Sequence, residues 1–352
     1  MSEPVPPIME TREEDGLLFG CLLDGEGGGR LVDWAEAEAW TADKGVLWVH
    51  LDRTTPRVRQ WLDSQNELDP SVIEALLAEE TRPRVFHHKA GVTTVLRGIN
   101  TNPDSDPEDM VAIRIWCDGR RLISLRHRRL MTPRDVLARL LVHANGPCSA
   151  SELFERLVGR LTERISDAID DLDERLDRIE AESEAEQVNI PATRAALKTF
   201  RHDTIVLRRY LAPQREALSM LLLEPPAWLE QNSRFAIRET VDLTQRYVEE
   251  LDTDREQALL IKDDIMSELS ERTNRNIYVL SIIAAVFLPL GFLTGLLGIN
   301  VGGMPGAQTQ TAFWIVTALL IAIGVGEIAI LWWLGWFSYG PNRQRGPRSD
   351  ED

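Results

Sequence analysis

The residues most able to interact with a metal ion lie in the stretch GFLTGLLGINVGGMPG, at residues 291–306. Six of these sixteen residues are glycine, and because each glycine costs a helix about 1 kcal/mol relative to alanine, a helix is expected to end here. Close to that end stands Asn300, whose carboxamide oxygen is a hard, neutral ligand. Such an oxygen suits a divalent cation that keeps its water, as Mg²⁺ usually does, better than a dehydrated Zn²⁺, which favours cysteine and histidine.

A stripe of mostly small or polar residues leads into this stretch. Its members recur at steps of three and four residues, so on a helix they share one face. They are Asn274, Ile277, Ser281, Ala284, Leu288, Gly291, Gly295 and Gly298. The spacing Gly291-xxx-Gly295 favours close packing of two helices. The same face also suits the wall of a polar pathway, and because two helices enclose no lumen, several copies of the chain would have to line it.

Helices that cross a membrane must position these residues, and two apolar stretches have the necessary length. Ile277–Leu297 contains 21 uncharged residues, about 31 Å as a helix, which matches the hydrocarbon core of a bilayer. Ala312–Phe337 is the second stretch. No Asp, Glu, Lys, Arg or His occurs from Asn276 to Gly326. Residues 277–340 are therefore predicted to form a two-helix transmembrane domain.

Arginines on both sides of this hairpin predict its orientation. Arg272 and Arg275 precede the first stretch, and three more arginines lie in the tail at residues 341–352. The connecting residues 300–311 include no basic residue. By the positive-inside rule both termini are cytoplasmic. We therefore expect a multi-pass protein of the cell inner membrane, with lipid as one of its partners.

Glu327 is the one ionisable residue deep in the second apolar stretch. An ionisable residue inside a membrane is by default a functional candidate. The alternative is a structural role, as a buried neutral or hydrogen-bonded group.

The overall composition argues against several functions. The chain has 39 Lys and Arg against 56 Asp and Glu, a formal net charge of −17, which is unfavourable for a nucleic-acid partner. Its three cysteines are widely spaced and form no zinc-finger pattern. No P-loop, nucleophile elbow or cluster of metal ligands occurs, so we expect neither an enzyme nor a resident cofactor. His87 and His88 are adjacent and would face opposite sides of a strand, and they and His50 are interpreted as structural.

Residues 1–150 are predicted to form a cytoplasmic α/β domain. Five stretches are rich in β-branched and aromatic residues, as strands are: Leu17–Leu23, Val46–Leu51, Gly91–Ile99, Met110–Cys117 and Arg121–Arg126. Between them, TTPRVRQWLDSQ and DPSVIEALLAEE are typical of helices, because each has proline in the first turn after a capping residue.

Residues 151–276 are predicted to form a long helical stalk. The first helix follows the N-cap candidate Ser151 and ends in the acidic segment EAESEAEQ. A second helix covers Pro191–Leu223, interrupted or kinked near Pro213. The third begins near Ser233 and meets no glycine or proline before Pro289, so it would run from the cytoplasm into the membrane.

The third helix is strongly acidic before it reaches the membrane. Residues 239–271 hold eleven acidic residues against three basic ones. One interpretation is a solvated helix face; the other is a funnel in which several copies of the helix concentrate cations. The residues proposed for that funnel are Glu249, Asp252, Glu256, Asp263, Glu268 and Glu271.

The end of the first apolar stretch resembles a known family. GIN at residues 298–300 is similar to the GxN signature of CorA-type divalent cation transporters, and LSIIAAVFLPLGFLTGLLGIN resembles the first span of that family. VGGMPG after the tripeptide, and the cytoplasmic stretches ETRPR, LRGINTNPDSDPEDMVAIRIW and RRLISLRHRRL, resemble the zinc-transporting ZntB branch. The resemblance covers nearly the whole chain. One departure is that the loop NVGGMPGAQTQ has no acidic residue, so it offers no external carboxylate ring.

The resemblance implies a CorA-like funnel, in which a homopentamer carries an α/β domain, a helical stalk and two C-terminal transmembrane helices. It implies a filter of Gly298, Ile299 and Asn300 at the outer entrance, where the chemistry of the amide oxygen leads us to expect that Asn300 holds a hydrated cation through its water. It also favours the pore-wall interpretation of the stripe, to which Thr294 is added as a polar contact.

The implied function is uptake of a hydrated Zn²⁺ ion, with proton coupling left open. The alternatives are a Mg²⁺, Co²⁺ or Ni²⁺ channel, or a membrane-anchored cytoplasmic scaffold or sensor.

Overall fold

The structure, a computed structural model, describes residues 15–79, 82–89, 91–102, 105–106, 108–185, 188–299 and 311–336. The chain separates into two compact units, Met1–Asp263 and Asp264–Asp352. The finer division at residues 150, 276 and 340 stays a prediction. The predictions for Asn300 and for the tail at 341–352 lie outside the described residues.

The first unit contains a seven-stranded sheet in the order β2-β1-β3-β7-β6-β5-β4. Its strands are β1 (Leu17–Leu23), β2 (Gly29–Val32), β3 (Leu47–Asp52), β4 (Arg84–His88), β5 (Gly91–Gly98), β6 (Val111–Cys117) and β7 (Arg121–Arg126). Strands β3 and β7 pair in parallel, and the other neighbours are antiparallel. The five predicted strands are present within one residue at each end.

The two strands that sequence analysis did not assign, β2 and β4, are the edges of the sheet. β2 has four residues and begins at the last glycine of the run at 27–29, while β4 includes Arg84, His87 and His88. Edge strands are exposed on one side, so short or polar sequences suffice there and the hydrophobic pattern is weak. His87 is exposed and His88 half-buried, and His88 Nε2 lies 3.4 Å from Asp69 Oδ2.

Helices cover both faces of the sheet. One face packs against α1 (Trp34–Glu38), α2 (Pro56–Asp63) and α3 (Pro70–Leu77), with Trp116, Ile123 and Leu125 in that core. The other packs against α4 (Thr132–Ala138), α5 (Ala150–Ser183) and α6 (Ile190–Leu223). Alternation of side chains along each strand supplies both cores. His50 is buried and its Nδ1 lies 2.9 Å from Ser124 Oγ; burial lowers its pKa well below 6.5, as expected of a structural histidine.

The N-cap of α5 is Ser149, so the assignment to Ser151 is wrong. Ser149 Oγ accepts the amide of Glu152 at 3.2 Å. Ser151 lies within the first turn, where its hydroxyl accepts the amide of Glu230 at 2.9 Å. Both serines precede the same apolar repeat, so the repeat alone does not distinguish them. The distinction comes from Glu152, which lies at the third helical position after Ser149, as in a capping box. The end of α5 at Ser183, within EAESEAEQ, agrees with prediction.

The last helix of the first unit is also the longest in the described chain. α7 spans Gln231–Leu297, 67 residues, and thus includes residues of both units. Pro213 lies within α6 and Pro289 within α7 without ending either helix, so the interruption considered near Pro213 is absent. In the first unit Arg208 of α6 forms a two-pronged contact with Asp252 of α7, at 2.6 and 3.0 Å.

In the second unit two apolar helices are present, as predicted. They are the C-terminal part of α7 and α8 (Ala312–Trp333), each with a mean hydropathy of 2.3 over its most apolar 18 residues. Both have the length and composition of candidate membrane spans, and those windows are not buried within the chain.

Candidate functional site

The two apolar helices pack through one face of α7. The Tyr278 hydroxyl donates to the carbonyl oxygen of Trp336, and the two rings lie 6.2 Å apart. Further along, a Cβ at Gly324 of α8 would lie 3.5 Å from Leu290 Cδ1. The half-buried positions of this part of α7 are Tyr278, Ile282, Val286, Pro289, Leu290 and Leu293. Their helical spacing defines the face of α7 that meets α8.

The predicted stripe lies on nearly the opposite face of α7. At 100° per residue, its mean direction is about 150° away from the face that meets α8. Every member from Asn274 to Gly298 is exposed in the single chain, as are Thr294 and Ile299. Ile277 is 58 % exposed and Leu288 is 73 % exposed. Helix α8 therefore leaves this face uncovered.

The glycines of the stripe have space in front of them. No other described atom lies within 4 Å of a Cβ built at Gly291 or Gly295. Gly91 in the first unit is different, since its Cβ would lie 2.5 Å from Trp116 Nε1. Packing against α8 therefore does not account for Gly291 and Gly295, and a helix–helix seam at these positions requires another copy of the chain.

The hydroxyl groups on this face are held by their own helix. Ser281 Oγ donates to Ile277 O at 2.8 Å, and Thr294 Oγ1 lies 3.0 Å from Leu290 O and 3.1 Å from Gly291 O. Each hydroxyl proton is directed at a backbone carbonyl. The oxygen lone pairs then remain to accept hydrogen bonds from the water of a hydrated cation.

Helix α7 ends where the proposed filter begins. Its last residue is Leu297, and the amide of Gly298 donates to Thr294 O at 2.9 Å. Ile299 is 50 % exposed. Gly298 and Ile299 thus follow directly from the exposed stripe. Asn300 lies outside the described residues, so its role stays a prediction.

Glu327 lies in α8 and is half-buried. Its Oε2 atom is buried and has no hydrogen-bond partner among the described residues. Since α8 packs on the opposite face of α7 from the stripe, Glu327 is placed apart from the proposed pore-lining positions.

The acidic residues of α7 differ in the partners they have. Asp252 is held by Arg208, Glu249 accepts from Gln245 at 2.5 Å, Asp263 lies 3.1 Å from Lys262, and Glu268 lies 2.6 Å from Arg272. Glu256 and Glu271 are exposed. Among the described residues no group of three or more Asp, Glu, His or Cys is arranged to hold a metal ion.

Asp254 is an unusual residue of α7 that sequence analysis did not single out. It is 4 % exposed and its Oδ2 has no partner among the described residues. Burial raises its pKa to about 6, with further contributions from Asp173, Glu250 and Asp177. The signal was available, because Asp254 stands at helical spacing between the buried residues Leu251 and Ala258.

Comparisons with known proteins agree with this arrangement. The family model of the CorA-like Mg²⁺ transporter protein matches residues 43–335. The divalent cation transporter CmaX of Pseudomonas aeruginosa is 37 % identical over 327 residues, covering 92 % of this chain and 97 % of that one. The zinc transport protein ZntB of Pectobacterium atrosepticum is 34 % identical over 322 residues, 92 % of this chain and 95 % of that one.

A solved structure extends the similarity to three dimensions. The full-length CmaX structure superposes with a TM-score of 0.79 at 37 % identity, and the match covers 92 % of this chain and 98 % of that one. The full-length CmaX structure thus matches this chain in its α/β domain, its long helix and its apolar C-terminal helix. The chain is a member of the CorA-like family of divalent cation transporters, which are membrane proteins and not enzymes.

Proposed function

We propose that the protein takes up hydrated Zn²⁺ through a central pathway lined by the stripe of α7 in a homopentamer. The observation that carries this proposal is the uncovered face from Asn274 to Gly298, which lies opposite α8 and has open space at Gly291 and Gly295. Because one hairpin encloses no lumen, this face needs further copies of the chain.

The chemistry of the pathway follows from neutral oxygen ligands. Five Asn300 carboxamides at the outer entrance, with Gly298 and Ile299, would form a ring that accepts hydrogen bonds from the water of a dication. Below it, the oxygens of Thr294 and Ser281 offer further acceptors. Exposed Leu288 and Ile277 would narrow the path with apolar side chains, which close a pore by excluding water.

Zinc is the ion favoured by the ZntB-like stretches and by the 34 % identity to ZntB. The family description names Mg²⁺ and the CmaX relative is described only as a divalent cation transporter. The alternative is therefore Mg²⁺, Co²⁺ or Ni²⁺ transport. Binding through retained water is compatible with all of these ions, because the ion does not have to lose its water molecules.

The driving force supports uptake. Moving one positive charge across 100 mV into a negative interior releases about 2.3 kcal/mol of free energy, so entry of a dication releases roughly twice that. A proton gradient is a second possible source, and Glu327 is its candidate carrier in the described membrane segments. At the cytoplasmic end, exposed Glu256 and Glu271 are better placed to attract cations than Asp252, which Arg208 neutralises.

Flux through proteoliposomes tests this proposal. Zn²⁺, Mg²⁺, Co²⁺ and Ni²⁺ are offered in parallel to the native chain and to Asn300→Ala, with a pH-sensitive dye inside the vesicles. We expect Zn²⁺ flux that Asn300→Ala abolishes and that Asn276→Ala, an asparagine outside the stripe, leaves intact. Unchanged flux in Asn300→Ala contradicts the filter, and flux of Mg²⁺ without Zn²⁺ contradicts the ion assignment. Assembled pentamers without any flux would favour the scaffold or sensor role.

A further inference from the structure

A cavity of about 590 Å³ in the first unit has six arginines among its thirteen described lining residues. Its described lining residues include two carboxylates, Glu79 and Asp109, and six guanidinium groups. The six are Arg53, Arg82, Arg97, Arg114, Arg128 and Arg209. In a chain of net charge −17, arginines thus outnumber carboxylates by four among the described residues that line this cavity. Such a concentration is the opposite of what the acidic composition predicts.

The sheet topology brings these arginines together. β3 is parallel to β7, whereas β6 is antiparallel to both β5 and β7. The last residues of β3, β5 and β7 and the first residues of β6 therefore meet at one end of the sheet. Arg53 follows β3, Arg97 lies near the end of β5, and Arg128 follows β7. Arg209 and Tyr210 of α6 complete the wall.

Two of the guanidinium groups are held by neutral partners. Arg114 is 2 % exposed and its Nη2 donates to Ala78 O at 2.7 Å and to Glu79 O at 3.2 Å. Arg53 Nη1 donates to Leu77 O at 3.0 Å. The Nε atoms of Arg53 and Arg114 are buried and have no hydrogen-bond partner among the described residues. Donors left unused in a buried cation are costly, so added negative charge in this cavity would stabilise the two arginines.

The positive charges of the neighbouring arginines repel one another. Burial, together with the nearby charges of Arg53, Arg97 and Arg84, lowers the pKa of Arg114 to about 10. The cavity has an internal ion pair between Arg128 and Asp109. That pair balances one arginine, and among the other described lining residues the guanidinium groups still outnumber the carboxylates.

We propose that this cavity binds a multiply charged phosphate anion of the diphosphate class. Guanidinium groups are planar forks that hold phosphate oxygens in pairs, and several forks around one space match an anion with several charged oxygens. The volume lies within the range of small-molecule sites. The inference is independent of the proposed ion pathway, because every residue it uses lies between Arg53 and Tyr210.

The aromatic residue of the cavity favours a free diphosphate over a nucleotide. Arg97 lies 4.5 Å and Arg209 lies 4.8 Å from the centre of the Tyr210 ring. Arg209 also donates to the Tyr210 hydroxyl at 3.1 Å. Two guanidinium groups already stack on this ring, so the ring is not available for a nucleobase. The site therefore favours a free diphosphate over the diphosphate group of a nucleotide.

Calorimetric titration of the full-length chain in a neutral detergent, in metal-free buffer, tests the site. The probe is pyrophosphate, and chloride at equal ionic strength and AMP are run in parallel. We expect one pyrophosphate per chain, with weaker binding of AMP and no saturable binding of chloride. Arg209→Ala and Arg114→Lys should each weaken pyrophosphate binding about tenfold, the loss expected for a hydrogen bond to a charged group.

Arg30→Ala is the matched control. Arg30 is exposed, pairs with Glu36 and does not line the cavity, so its replacement should leave pyrophosphate binding unchanged. No saturable binding, equal weakening by Arg30→Ala, or tighter binding of AMP than of pyrophosphate would overturn the proposal. If Arg114→Lys fails to fold, the exposed residues Arg82 and Arg209, each changed to Ala, decide the result.

Discussion

At the scale of single residues, the charge of a side chain predicts less than the position it occupies. Asp252 and Asp254 are two residues apart in the same acidic run, yet their environments are opposite. Asp252 lies 2.6 Å from Arg208 and is half-exposed. Asp254 is buried near Asp173 and Glu250. A run of acids in the sequence therefore contains both stabilising and destabilising members.

Asp254→Asn should stabilise the protein at neutral pH. The folded-state pKa of Asp254, about 6, lies above its ordinary 3.8, so the folded state binds this proton more tightly. The native chain then loses stability as pH rises from about 4 to about 6, and above that the cost is on the order of 3 kcal/mol. We expect a higher thermal unfolding midpoint for Asp254→Asn at pH 7.5 and a difference from the native chain that disappears near pH 4.

Asp252→Asn is the control for this experiment and should have the opposite sign. It removes the carboxylate that Arg208 contacts, so the midpoint should fall slightly at pH 7.5, as for a partly exposed ion pair. A lower midpoint for Asp254→Asn, or a difference that is constant from pH 4 to pH 8, would contradict the raised pKa of Asp254.

At the scale of elements, α7 has two faces with different partners. The face with Tyr278 and Leu290 meets α8, and the opposite face has Gly291 and Gly295 with no close neighbour among the described residues. In a membrane, glycine at regular spacing permits close approach of another backbone or of a ligand. We therefore propose this exposed face as the place where the element meets other copies of the chain and the transported ion.

Gly291→Leu should lower Zn²⁺ flux severalfold while the chain still inserts and folds. The new side chain enters space that is open in the single chain, so we expect the cost in the proposed assembled pathway. Gly326→Leu in α8 is a matched control, because Gly326 also has no described atom within 4 Å of a built Cβ. Flux assays measure Zn²⁺ transport, and size-exclusion chromatography measures whether the chain is folded. Equal flux in Gly291→Leu and the native chain would contradict the assignment of this face.

At the scale of the whole molecule, the sequence predicts the elements well where hydrophobic periodicity is strong. The five inner strands, the two proline-capped helices, and the long helices α5, α6 and α7 follow from it. The edge strands β2 and β4 and the short helices α1 and α4 were missed, because short or half-exposed elements have little periodicity to detect. Asn274 to Gly298 could be assigned to one face from spacing alone.

The arginine cavity could not be predicted in this way. Its residues are scattered from Arg53 to Arg209 and converge only through the strand order of the sheet. A net charge of −17 also directs attention away from anions. Long-range pairing of strands is not encoded in any local pattern, so a site made from several strand ends appears only once the topology is known.

The central claim is that the stripe of α7 faces a water-filled pathway, and cysteine accessibility tests it directly. Ala284 belongs to the stripe, whereas the adjacent Ala285 points about 100° away around the helix. In a background with the exposed Cys148 changed to Ser, a charged thiol reagent should block Zn²⁺ flux through Ala284→Cys and leave flux through Ala285→Cys unchanged. Equal block of both variants, or block of Ala285→Cys alone, would contradict the account.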